Sequence, residues 1–232
     1  MKRLSMIAVM VIGITSLGWS SERYVNDDAS NKLLHGVENA WNNTWGSSDG
    51  DPDASGSIPG FSETASDGNV TVKITFGTTT YSIDYGSLDF SPMDPMQDYK
   101  CEFALTVNKI EIAGGATVTV KTPNNTFEYD CDNVKAGIKN FMITGYATVS
   151  GSTITLTGVA TDIDSSDYYY SLPCSSSALD AAMLAENPDG ALPSNYKKML
   201  GQKFRASGSR FNSVTKNKYM TTMKNKMTDL AQ

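Results

Sequence analysis

Apolar and polar residues alternate along most of the chain between Asn69 and Asp162, and the alternation is cleanest from Phe141 to Ala160. Phe141, Ile143, Ala147 and Val149 share one parity, and Ile154, Leu156 and Ala160 share the other. A two-residue turn at Ser150-Gly151 pairs Ala147 with Ile154, Gly145 with Leu156 and Phe141 with Ala160. All of these then lie on one face, because side chains alternate across a strand. The reverse face carries Thr144, Tyr146, Thr148, Thr153, Thr155 and Thr157. A turn at Gly151-Ser152 keeps the same parity. The segment is predicted to be a β-hairpin with one apolar and one polar face.

The same period extends upstream. Val70, Val72, Ile74 and Phe76 alternate with Thr71, Lys73 and Thr75. A turn at Gly77-Thr78 would set Ile74 opposite Tyr81 and Val72 opposite Ile83. Pro92 and Pro95 break the pattern, as a long loop does. In Cys101–Ile112 the apolar parity switches near Asn108-Lys109, which predicts a bulge or bend. Ala113-Gly114-Gly115 is expected to turn Ile112 onto Ala116. Pro123-Asn124-Asn125 is expected to turn Val120 onto Phe127 and Val118 onto Tyr129. Tyr168–Leu172 would add an edge strand.

Outside this region the period lengthens. Leu33, Leu34, Val37, Trp41 and Trp45 recur at helical spacing behind the capping candidates Asp27, Asp28 and Ser30, predicting an amphipathic helix within 26–46. Residues 47–68, rich in Gly, Ser, Asp and Pro, read as a linker. Ser175–Glu186 and the stretch after Ser194, with Met220, Met223, Met227 and Leu230 in a stripe, read as helices, so 175–232 is a helical segment. The expectation is a mainly β fold, an antiparallel meander of seven or eight strands over 69–173. It closes as a small barrel or folds as a sandwich, flanked by an N-terminal helix and C-terminal helices.

Met1–Gly18 places Lys2 and Arg3 before an apolar run and small residues after it, the pattern of a secretory signal. The run is shorter than the roughly 20 residues of a membrane-spanning helix. No later segment is apolar enough to cross a membrane as a helix, so the mature chain is expected to be exported: periplasmic, at the cell surface or extracellular. Three cysteines fit an oxidising compartment. Cys101 is in phase with Phe103 and Leu105, and Cys131 with Phe127 and Tyr129, which favours a Cys101–Cys131 bridge and leaves Cys174 over.

Charge divides the chain in two, beneath a formal net charge of −6. Beyond Ser194 the only acid is Asp229, against Lys197, Lys198, Lys203, Arg205, Arg210, Lys216, Lys218, Lys224 and Lys226. The rest of the mature chain is strongly acidic. Two roles fit a basic helix here: docking on the acidic domain, or contact with an anionic surface or a second copy. Nucleic acid is disfavoured as a partner by export and by the acidic body.

The chemistry-bearing residues are sparse. His35 is the only histidine; no Ser/His/Asp order, Cys/His metal cluster or phosphate-binding Gly-rich loop occurs. Asp49, Asp51 and Asp53 stand two apart, as in extracellular calcium loops, but Ala54 and Gly60 replace the Gly and Glu that an EF-hand-like loop needs. Calcium is thus a weak candidate, and no other cofactor is expected. The leading expectation is a non-enzymatic protein that binds an apolar small molecule or lipid, or serves as a surface or assembly module. The alternative is a secreted carboxylate-dependent hydrolase of glycosidase type, with Asp84, Asp89, Asp94 and Asp98 as the place to look.

Overall fold

A computed structural model describes residues 22–46, 52–67, 70–164, 166–171 and 208–232. The expected signal peptide, the helix at Ser175–Glu186, Asp49, Asp51 and Cys174 lie outside these residues, as do Lys197, Lys198, Lys203 and Arg205.

The described chain is one antiparallel eight-stranded sheet with two helices, and the sheet stays open rather than closing into a barrel. β1 (Ala54–Ile58) and β2 (Phe61–Asp67) run end to end along β4 (Thr79–Ser91) and β3 (Val70–Phe76) respectively. β3 and β4 in turn share one edge of β5 (Lys100–Lys121). β5 pairs over its whole length with β6 (Thr126–Ser150). β7 (Thr153–Thr161) and β8 (Tyr168–Ser171) share the far edge of β6. The strands therefore follow sequence order as a meander, in long runs interrupted by bulges. β5 has 22 residues and β6 has 25, roughly 70–80 Å if straight, so the sheet must coil, as right-handed strand twist accumulates.

Two of the expected turns do not form. Gly77-Thr78 does not fold β3 back onto β4: Phe76 lies beside Ala116 and Thr80 beside Ala113, so both strands continue along β5 with one extra residue between them. Likewise β5 passes straight through Ala113-Gly114-Gly115, with a register shift at that point. A glycine pair next to alternating residues fits a bulge as well as a hairpin, and the long uninterrupted partner β6 selects the bulge. The linker expected over 47–68 contains two strands. Residues 54–67 are strands, polar because they form the sheet's edge, with Ile58 facing the core.

The remaining registers hold. Val120 pairs with Phe127 and Val118 with Tyr129, as the Pro123-Asn124-Asn125 turn requires. The β6–β7 hairpin forms with its turn at Gly151-Ser152, Gly151 having φ +60, and with Val149 opposite Ile154 and Ala147 opposite Leu156. Its apolar parity is the expected one through Leu156, moved by two residues along the ladder; a bulge at Gly158, with φ +60, then switches it, so that Val159 packs on the core and Ala160, expected on the apolar face, is exposed opposite Thr144.

The parity switch at Asn108 spans the sheet. Ile83 and Tyr85 but then Leu88 and Phe90, Val107 but then Ile110, and Ile138 but then Phe141 are buried. Three neighbouring strands thus change phase on one line, a crease. β4 bulges there between Asp84 and Leu88, and Asn140 adopts φ 56. Asn108 staples the crease: its Nδ2 donates to Asp84 Oδ1 at 3.0 Å and to the Tyr85 carbonyl at 2.8 Å. Gly86 lies close beside it: a Cβ there would stand 3.0 Å from both Asn108 Oδ1 and Thr106 Cβ, so one of them would have to shift.

The Cys101–Cys131 bridge is absent. Cys101 is a free, buried thiol, pushed up to about 12 by burial and by the charges of Glu38 and Glu102. Cys131 is disulfide-bonded, to a partner other than Cys101. Both cysteines face the core, as their phase implies, but Cys101 pairs with Ala147 while Cys131 pairs with Ala116. Residues 101 and 116 of one strand are roughly 50 Å apart along an extended chain, whereas a disulfide needs Cα atoms within about 7 Å.

Candidate functional site

α1 (Asp28–Thr44) begins where Asp27 accepts the Ser30 amide at 2.8 Å and buries Ser30, Leu34, Val37 and Trp41. Three polar bonds fix its C-terminal half to β4. Trp41 Nε1 donates to the Gly86 carbonyl at 3.0 Å. Asn42 donates to the Leu88 carbonyl and accepts the Leu88 amide, both at 2.8 Å.

α2 (Gly208–Leu230) meets the sheet at the crease. Thr215, Tyr219, Met223, Met227 and Ala231 are buried, at a spacing of four that keeps them on one stripe. Tyr219 packs edge-on against Phe141 of β6, ring centroids 5.8 Å apart. Its carbonyl accepts the Tyr85 hydroxyl of β4 at 2.9 Å. Burial pushes both phenols up, away from ionisation.

The cations of α2 divide by position. Lys216, Lys218 and Lys224 are exposed, and none forms an ion pair among the described residues. Lys218 stands 6.0 Å from the Tyr81 ring. Lys226 is half-buried, its Nζ 3.7 Å from the centroid of the Trp45 ring, so it joins the ends of the two helices by a cation–π contact. Burial lowers its pKa, while Asp53 and Asp229 hold it up. Arg210 lies in α2.

Of the calcium candidates, Asp53 is described and its carboxylate is used within the fold. Its Oδ2 accepts the Tyr85 amide at 2.7 Å, beside the β4 bulge. Among the described residues no group of three His, Cys, Asp or Glu could hold a metal ion. Asp84 is buried and bonded to Asn108. Asp89, Asp94 and Asp98 are exposed along β4 and the loop after it.

Sequence reasoning did not single out Glu38. It is half-buried and accepts the hydroxyl of Tyr24. Burial and the charge of Asp89 raise its pKa. The tyrosine lies ahead of the helix and the aspartate on β4, so periodicity alone could not bring them together.

Open clefts lie on the surface of the described residues. One, of about 330 Å³, lies between the start of α1 (Asp27, Ala29, Ser30), Tyr99 and the turn Val149–Gly151. Another, of about 300 Å³, is lined by Glu102, Thr144, Gly145, Tyr146 and Gly158, with Lys100 Nζ 4.3 Å from the Tyr146 ring centroid. Neither is lined by Glu38 or Asp89.

No protein-family model matches the chain, and no curated protein matches it. Among solved structures it is similar to the crystal structure of a lipopolysaccharide binding protein, with TM-score 0.35 and 13% identity. The match covers 77% of this chain and 35% of that one, so the chain spans about a third of its length. A likeness this loose assigns neither a site nor a ligand. Among the described residues no helix is long and apolar enough to cross a membrane.

Proposed function

We propose that the chain is an exported, non-enzymatic protein of the envelope or extracellular space. Its sheet serves as a scaffold, and its contact with an anionic surface is made by the outer face of α2. One observation carries this reading: the apolar stripe of α2 is occupied by the sheet while Lys216, Lys218 and Lys224 are exposed and form no ion pair among the described residues. Such a helix binds through charge rather than by inserting its apolar face, so its affinity falls steeply with salt. Phosphate and carboxylate groups share the required chemistry. The full chain is therefore compared on anionic phospholipid vesicles, on neutral vesicles and on an acidic polysaccharide. Salt-sensitive retention on one anionic support and none on the neutral vesicles is expected; equal retention on all three, or none, contradicts the reading.

Binding of an apolar small molecule or lipid is a second reading, supported by the Met220, Met223 and Met227 side chains that α2 brings to the core. Methionine repacks around varied apolar shapes. A lipid retained in native mass spectrometry of the purified chain is the expected sign, and its absence after exposure to lipid counts against it.

A further inference from the structure

Because the sheet is open, its edge strands present backbone groups to solvent. Most of these edges carry features that blunt pairing with another strand. β8 has four residues, and β1 has five, with Gly56 at its centre and Pro59 directly behind it. β2 turns the carboxylate of Glu63 into the interior. β7 differs from Thr153 to Thr157: it reads Thr, Ile, Thr, Leu, Thr, without charge, proline or glycine. Among the described residues β7 pairs with β6 alone. The bulge at Gly158 closes this stretch at one end. The crease that carries α2 lies farther off, since Phe141 stands two residues past the Ile143–Thr161 pair.

The hairpin turn decides which backbone groups face outward. In an antiparallel pair joined by a two-residue turn, the residues flanking the turn exchange both hydrogen bonds, and bonded and non-bonded pairs then alternate. Ser150–Thr153, Thr148–Thr155 and Tyr146–Thr157 are the bonded pairs. The N–H and C=O of Ile154 and Leu156 therefore point away from β6. Val149, opposite Ile154, donates its amide to the Tyr99 carbonyl at 2.8 Å rather than to β7, as the alternation requires.

We propose that residues 153–157 of β7 pair antiparallel with the same residues of a second copy, about a two-fold axis through Thr155. This register sets Thr155 opposite Thr155 and Thr153 opposite Thr157 on the exposed face, and Ile154 opposite Leu156 on the other. Each Ile154–Leu156 pair exchanges both backbone bonds, once on either side of the axis. Facing threonines are a favourable cross-strand pair, and no like charges meet. The stretch reads alike in both directions in side-chain type, which is what a two-fold interface requires and why the occupant is this chain itself. One short strand pair buries little surface, so the dimer is weak and depends on concentration.

Sedimentation equilibrium of the full chain should show a monomer–dimer equilibrium. Over the same concentrations, amide exchange of Ile154 and Leu156 should slow, while that of Thr155, already bonded to β6, stays unchanged. Thr155→Lys and Thr155→Glu should each weaken the dimer about 5-fold or more, because like charges then face each other across the axis. An equal mixture of the two variants should associate as tightly as the unaltered chain, a rescue that a folding defect would not allow. A chain that stays monomeric up to about 1 mM overturns the proposal. So does a dimer in which Ile154 and Leu156 exchange at the monomer rate, a dimer untouched by either variant, or a mixture that does not recover.

Discussion

The two helices rest on one sheet, yet they are held by different means. α1 is positioned by directional bonds: the Asp27 cap, the Trp41 indole on the Gly86 carbonyl and the paired bonds between Asn42 and Leu88. Each demands one geometry and leaves a buried group unpaired if it is lost. α2 is held by area: Tyr219, Met223, Met227 and Ala231 fill space against the core, with the Tyr85–Tyr219 bond as a polar link to β4. Directional bonds fix a helix in register, whereas burial of adaptable side chains fixes which face is hidden and little else. For α2 that is enough, because hiding the methionines turns the lysines outward.

Substitutions can separate the two modes. Trp41→Ala should cost most, about 3–5 kcal/mol in denaturant unfolding, since it opens a cavity under two aromatic neighbours and frees the Gly86 carbonyl. Asn42→Ala comes next, at about 1–3 kcal/mol, because it leaves both polar groups of Leu88 without partners. Met223→Leu together with Met227→Leu should cost less than about 1.5 kcal/mol. If the methionine pair proved costlier than Asn42→Ala, α2 would be the specifically fitted helix and the contrast would be reversed. Lys226→Met should move stability by under about 1 kcal/mol, since the lost cation–π contact is offset by relief of a desolvated charge.

What the sequence showed and what it concealed follow from the range of each signal. α1 was legible from its cap and its spacing, because both are local. The phase of each strand was legible too: Cys101, Cys131, Val107 and Ile110 all face the core as alternation requires. Register was not, because a bulge and a turn use the same glycines; Gly77 and Gly114-Gly115 interrupt strands that continue to a distant partner. The bridge was misassigned for the same reason, since phase says which face a cysteine occupies and nothing about its place along β5. In α2 the methionine stripe was visible, but not the bond that anchors Tyr219, since its partner Tyr85 lies on β4. The Glu38 cluster is assembled from three separate elements, and no local pattern marks it.

The account rests most heavily on the outward lysines of α2, and the triple variant Lys216→Gln, Lys218→Gln, Lys224→Gln tests them directly. These residues are exposed and unpaired among the described residues, so unfolding free energy should change by no more than about 0.5 kcal/mol. Retention on whichever anionic support binds the unaltered chain, measured at low salt, should instead fall about 10-fold or more, given roughly 1 kcal/mol per lysine at a charged surface. Retention equal to that of the unaltered chain, with stability unchanged, would contradict the claim that this face makes the contact.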